Sequence, residues 1–135
     1  MTKYEQSCYK RLRDQFDYEN THGDGLFGLA TTQLGIMDAP AAIVFGTLMI
    51  DPKITFKSKE TKVRDEGCWS LEDRYDVERS VRIAYEYTND RGNRLKRKAK
   101  DLKARVIQHE VDHLTDVSES SPLGITIDKI GVLTQ

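Results

Sequence analysis

The stretch Gln108-His109-Glu110-Val111-Asp112-His113 constrains this chain more than any other. If it is helical, His109 and His113 lie one turn apart and leave the same face, with Cβ atoms about 5–6 Å apart. Two imidazoles so placed suit one divalent ion. Glu110, between them in sequence, can then reach a water at that ion without ligating it. The plain alternative is a surface helix that happens to carry two histidines and acids. It fits less well, because two of the chain's three histidines fall at this spacing. The motif alone does not choose among metal hydrolases.

Much of the rest of the chain reads as short strands. Val81 to Tyr87 alternates, with Val, Ile and Tyr on one face and Arg, Ala and Glu on the other. Asn89 to Asn93 reads as a hairpin turn, and Arg94 to Ala99 as an antiparallel return. The basic residues of that return suit a solvated edge strand. Ala41 to Phe45 and Leu48 to Ile50 read as strands joined at Gly46-Thr47. Asp51-Pro52 is expected to break the second, with a further strand over Ile54 to Lys57. The charged run from Lys57 to Glu66 reads as a solvated loop, and Gly124 to Ile130 as a final strand.

Upstream, Tyr4, Cys8, Leu12 and Phe16 recur every fourth position and predict a helix over residues 3–19, with Cys8 in its core stripe. Residues 26–35 are too apolar for an ordinary loop and too Gly-punctuated for a helix. They read as a buried irregular segment or strand carrying the polar Gln33. The motif helix itself is expected over residues 101–116, with Asp101 as its cap or first-turn acid. These elements predict an α+β fold, a mostly antiparallel β-sheet wrapped around a central helix carrying His-Glu-x-x-His. At 135 residues, a single catalytic domain spanning 1–135 is expected.

Charged residues make up 32% of the chain but nearly cancel, to a net of −1. That balance argues against a nucleic-acid partner. No apolar run approaches the roughly 20 residues that span a bilayer, and Met1 to Gln6 is too polar for a signal peptide. No membrane partner and a reducing, cytoplasmic location follow as expectations. A lone Cys in such a compartment is a ligand or nucleophile candidate rather than half of a disulfide.

Two histidines need a third ligand to leave one position open for water. No histidine follows His113, and Glu119 is too close behind it to come from a second helix. Upstream, Cys68 stands after Gly67 in the polar run Asp65-Glu66-Gly67-Cys68-Trp69-Ser70. It is a thiolate candidate, although core packing is also open to it.

At this point three segments together resemble peptide deformylase. Gly28-Leu29-Ala30-Thr31-Thr32-Gln33 resembles its motif Gly-x-Gly-Leu-Ala-Ala-x-Gln. Glu66-Gly67-Cys68-Trp69-Ser70 resembles Glu-Gly-Cys-(Leu or Trp)-Ser, and Gln108 to Leu114 resembles Gln-His-Glu-x-Asp-His-Leu. The order agrees, and the resemblance runs from about Tyr4 to Leu114. It implies removal of the formyl group from the formylmethionine terminus of nascent proteins. Cys68, His109 and His113 would bind the metal, a metal-held hydroxide would attack, and Glu110 would move the proton. The Gln33 amide and the Trp69 backbone N–H would stabilise the oxyanion.

The substrate would add as a strand beside Phe27, Gly28 and Gly67. Phe27, Leu102 and Val106 would line the methionine pocket. Glu66 and Asp112 would pair with an arginine, Arg74 or Arg79. The metal implied is one divalent ion per chain, Fe(2+) in the cell, with Zn(2+), Ni(2+) or Co(2+) in purified material.

Three departures stand out. Leu26 replaces the first Gly, Thr31 replaces the second Ala, and Arg105 stands where the family usually has an apolar residue. At the pocket mouth, Arg105 would shift side-chain preference away from plain methionine. The resemblance is closest to short, phage-encoded forms. A monomer in the bacterial host cytoplasm is therefore expected, meeting ribosomes transiently without a long C-terminal docking helix. The competing readings are a His-Glu-x-x-His zinc endopeptidase and a non-catalytic domain with a structural metal.

Overall fold

The computed structural model of the chain describes residues 1–23, 25–68 and 71–115, with the backbone alone at 68, 71–73 and 75. Trp69, Ser70 and the strand expected over Gly124 to Ile130 lie outside the described residues.

Helix α1 (Lys3–His22) starts at a reciprocal cap. The Thr2 hydroxyl accepts from the Glu5 N–H at 3.0 Å, and the Glu5 carboxylate accepts from the Thr2 N–H at 2.8 Å. Its buried residues are Cys8, Tyr9, Leu12 and Phe16. Tyr4, expected in the stripe, is exposed and bonds Asp38. At 3.6 residues per turn an every-fourth stripe drifts by about 40° per step. Over three steps the drift rotates one end out and brings Tyr9 in.

Strand β1 (Gly28–Ala30) leads into a 3₁₀ turn (Thr31–Leu34) that buries Gln33, as the irregular apolar segment predicted. Thr31, the departure from Ala, is fully buried, and its hydroxyl accepts from the Ala41 N–H at 3.1 Å. Strand β2 (Ala41–Val44) turns through Phe45-Gly46, both at positive φ, into β3 (Thr47–Lys57). This two-residue turn suits the twist of a hairpin, so the turn sits one residue earlier than expected. Strand β3 does not break at Asp51-Pro52. Asp51 takes φ 48 at a register shift between Ile50 and Lys53, and pairing resumes beyond it. A bulge is where a strand tolerates a residue without an N–H.

The charged run taken for a loop is instead strand β4 (Thr61–Cys68), paired antiparallel with β5 (Leu71–Ser80). Strands β6 (Arg82–Thr88) and β7 (Arg94–Lys100) form the expected hairpin, with Ile83, Tyr85 and Tyr87 buried. Among the described residues the sheets are a five-stranded one, ordered β1-β2-β3-β6-β7, and the two-stranded β4-β5. All pairings among these residues are antiparallel, and β1 and β7 are the edges of the larger sheet as described.

From β7 the chain turns at Asp101 directly into helix α2 (Asp101–Leu114), shorter by two residues than expected. Strand β2 is buried on both faces. Ala41 and Ile43 pack with Leu12 and Phe16 of α1, and Val44 packs with Ala104 and Ile107 of α2. Helix α2 touches strands of both sheets, which makes it the central helix that the sequence predicted.

Candidate active site

Helix α2 buries its motif almost whole: Gln108, His109, Glu110 and His113 are all buried. The His109 and His113 rings stand 5.0 Å apart between centroids, inclined at 63°. His109 Nδ1 meets Glu66 Oε1 at 2.9 Å. Burial, followed by the positive charges of His109 and Arg79, lowers the His113 imidazole to about 3. It is therefore neutral at physiological pH, the form that ligates metals.

Glu110 is 4% exposed, and its Oε1 has no hydrogen-bond partner among the described residues. Burial pushes its carboxyl up to about 7; the charges of His109 and Arg79 pull it down, and those of Glu66 and Asp112 push it up. Its other oxygen lies against β1. A Cβ built on Gly28 would stand 2.6 Å from Glu110 Oε2. Glycine at 28 is thus a space requirement. Gly28→Ala is expected to displace the carboxylate and lower kcat at least tenfold while the fold survives; steady-state kinetics beside a thermal melt checks this. At Gly67 the same atom would meet only the exposed end of Arg74, which can swing aside.

Behind His109 lies a buried ionic cluster. Arg79 donates to both oxygens of Glu66, at 2.7 and 3.0 Å, and to Asp112 Oδ2 at 2.7 Å. Arg74 pairs with the exposed Asp65, so Arg79 is the partner that sequence alone could not separate from it. Burial opposes ionisation of Glu66, but hydrogen bonds from His109 and Arg79 and the Arg79 charge outweigh it and lower the carboxyl to about 2. Arg105 also bonds Glu66, and the Val77 and Lys62 carbonyls as well. Its expected place at the pocket mouth is therefore corrected: it is 8% exposed and turned into the cluster.

Gln33 is buried, with its amide oxygen accepting from the Ala30 N–H at 3.0 Å. The adjacent Thr32 donates to the His113 carbonyl at 2.8 Å, which ties the first motif to the end of α2. Gln108 pairs with both backbone groups of Ser80 and so ties α2 to β5. The sequence reading gave no role to Thr32 or Gln108, and no periodicity marks them. Of the pocket candidates, Val106 sits in the core cluster of α2, while Phe27 and Leu102 are about half exposed. The Phe27 and Phe45 rings lie 5.4 Å apart.

The Cys68 side chain lies outside the described residues, as does Trp69. Among the described residues no three metal-binding side chains converge. What is described still suits a metal: paired, buried imidazoles, one backed by a carboxylate, beside an unsatisfied carboxylate oxygen.

The family described as polypeptide deformylase matches residues 6–118. The chain belongs to the polypeptide deformylase family. Deformylases are metal-dependent hydrolases that remove the N-formyl group from nascent peptides, and that is this chain's activity. The peptide deformylase of Pseudothermotoga lettingae is 34% identical over 122 residues, covering 85% of this chain and 68% of that one. The crystal structure of the Thermotoga maritima peptide deformylase matches with a TM-score of 0.69 at 32% identity, over 95% of this chain and 83% of that one. A probable peptide deformylase from synechococcus phage S-SSM7 matches at 0.71 and 33%, over 93% and 84%. Deformylase membership displaces the endopeptidase and structural-metal readings. Among the described residues no helix is long and apolar enough to cross a membrane.

Proposed function

We propose that Cys68, His109 and His113 hold the deformylase metal and that Glu110 is the proton carrier of the reaction. The observation that carries this reading is Glu110 itself, buried beside the two imidazoles, with Oε1 unsatisfied among the described residues and Oε2 pressed against Gly28. A divalent ion held there supplies Lewis acidity toward the formyl oxygen and toward water. Fe(2+) is the ion proposed in the cell, with Zn(2+), Ni(2+) or Co(2+) able to replace it.

The chain's own residues do the rest. Glu66 accepts from His109 Nδ1 and so directs Nε2 of that ring toward the metal. Glu110 Oε1 takes a proton from the attacking water and passes it to the departing amine nitrogen. The C–N bond breaks, and formate and a free methionine terminus result. A carboxyl held near neutrality by burial suits both halves of that transfer. Gln33, with its oxygen fixed on Ala30, turns its NH₂ group to the developing oxyanion, and the Trp69 backbone N–H is the second donor.

Among the described residues strand β1 ends its sheet, and the peptide adds along that edge, against the backbone of residues 27–28 and 67. Phe27, Leu102 and Val106 contact the methionine side chain. The enzyme works as a monomer in the bacterial cytoplasm, meeting nascent chains near the ribosome. Anaerobically purified protein, with its metal measured, tests the reading on formyl-Met-Ala-Ser, acetyl-Met-Ala-Ser and unmodified casein. Turnover of the first alone is expected. Cleavage of casein without deformylation would overturn the assignment.

A further inference from the structure

The hairpin β4–β5 carries Glu66 to Cys68, yet among the described residues it shares no ladder with the larger sheet. A two-stranded hairpin alone is marginally stable in water. Backbone bonds at its base, from the Val81 N–H to the Glu60 carbonyl and from the Ser58 N–H to the Arg82 carbonyl, join it to the larger sheet, and side chains hold its length against α2. Glu66, Val77, Arg79 and Ser80 are its buried residues among those described. One side chain of α2 reaches both strands. Arg105 Nη1 donates to Glu66 Oε2 and to the Val77 carbonyl at 3.1 Å, and Nη2 donates to the Lys62 carbonyl at 2.7 Å. Lys62 is on β4 and Val77 on β5.

Arg105 also completes a charge balance. Two guanidinium groups, Arg79 and Arg105, meet two carboxylates, Glu66 and Asp112, in a buried cluster. Without Arg105, two anions would share one cation. The same residue lies one turn before His109 on α2, and Glu66 lies two residues before Cys68 on β4.

We propose that Arg105 is a positioning residue that clamps the β4–β5 hairpin to α2 and, through Glu66, fixes the His109 ring and the strand bearing Cys68 in one geometry. This rests on the reading of Cys68, His109 and His113 as the metal's ligands. The clamp needs a planar fork, because two nitrogens of one guanidinium serve three acceptors on two strands. Lysine keeps the charge but offers a single nitrogen, and methionine keeps only the stem.

The test compares wild type, Arg105→Met and Arg105→Lys by three readouts. These are amide hydrogen exchange of the chain without added metal, titration with Co(II) followed by its visible spectrum, and steady-state deformylation. In Arg105→Met, amides of β4 and β5 should exchange at least about tenfold faster while those of β2 and β3 keep their protection. Co(II) affinity should fall about 10–100-fold with an altered spectrum. The loss should appear in kcat more than in KM, and the preference for formylmethionine over formylnorleucine should not move. Arg105→Lys should fall between the two.

A merely structural arginine would lower the melting temperature but leave Co(II) affinity and spectrum unchanged. A pocket-lining arginine would change KM and side-chain preference with hairpin exchange unchanged. Either result overturns the proposal. If Arg105→Met does not fold, Arg105→Lys decides: faster hairpin exchange with weaker Co(II) binding supports the clamp, and wild-type values for both sink it. A wild-type chain that binds no Co(II) would instead count against the metal-site reading, and hairpin exchange would still decide the clamp.

Discussion

Replacing Glu110 with Gln is expected to leave the metal content unchanged and to cut deformylation of formyl-Met-Ala-Ser by about 10²–10⁴-fold, the usual worth of a positioned general acid–base group. Gln is the informative choice because the site is tight. The Glu110 side chain lies within 3.0 Å of where a Gly28 Cβ would stand, so a substitute must keep its shape. An amide does so, but it cannot accept the proton of an attacking water. Burial brings the carboxyl to about 7, so its ionised and protonated forms are both accessible near neutrality. The amide has neither form. Elemental analysis separates the two roles open to this residue. Lost metal with lost activity would make Glu110 a ligand. Retained metal with activity within tenfold of wild type would remove it from the proton path.

The part of the site that was legible in the sequence is the part with a spacing. His109 and His113 had to share a helix face, and they do. The β6–β7 hairpin was legible because Ile83, Tyr85 and Tyr87 alternate with polar residues and Asn89 to Asn93 is a turn. The β4–β5 hairpin was not, for a physical reason. Its described inward residues include the charged Glu66 and Arg79 beside Val77, and along β4 the apolar Val63 faces outward among charged neighbours, so apolar alternation does not mark that strand. Charge usually marks solvent. Here it marks an interface sealed by ion pairs, and pairing across elements far apart in sequence has no local signature. The same blindness put Arg105 at a pocket mouth. Arg105 stands where the resembling family usually has an apolar residue, and only its partners on β4 and β5 show where it turns. Asp51-Pro52 misled in the opposite direction, since a local breaker was absorbed by a bulge in a strand held on both sides.

Arg79→Met should destabilise the protein by about 3–5 kcal/mol at neutral pH, the cost of removing one partner from a buried ion pair. That is a large share of the roughly 5–15 kcal/mol that holds a domain folded. Arg79 is the hub. It donates twice to Glu66 and once to Asp112, and its own side chain is 3% exposed. Methionine keeps the stem but strips both carboxylates of their shared cation, leaving Glu66 with Arg105 and His109.

The pH dependence follows from Glu66. Its carboxyl is lowered from 4.5 to about 2 in the folded chain, so its stabilisation is fully present above pH 4.5 and is lost as pH falls through about 2. A shift of that size corresponds to something on the order of 3 kcal/mol. Losing Arg79 moves the carboxyl back toward its ordinary range, and the variant then has less to lose on acidification. The stability gap between wild type and Arg79→Met should therefore be widest above pH 4.5 and shrink as acid is added. Urea unfolding of both proteins across that range reads it directly. A gap under 1 kcal/mol at neutral pH, or one that stays constant on acidification, would mean that the cluster is not held together by the Glu66–Arg79 pair.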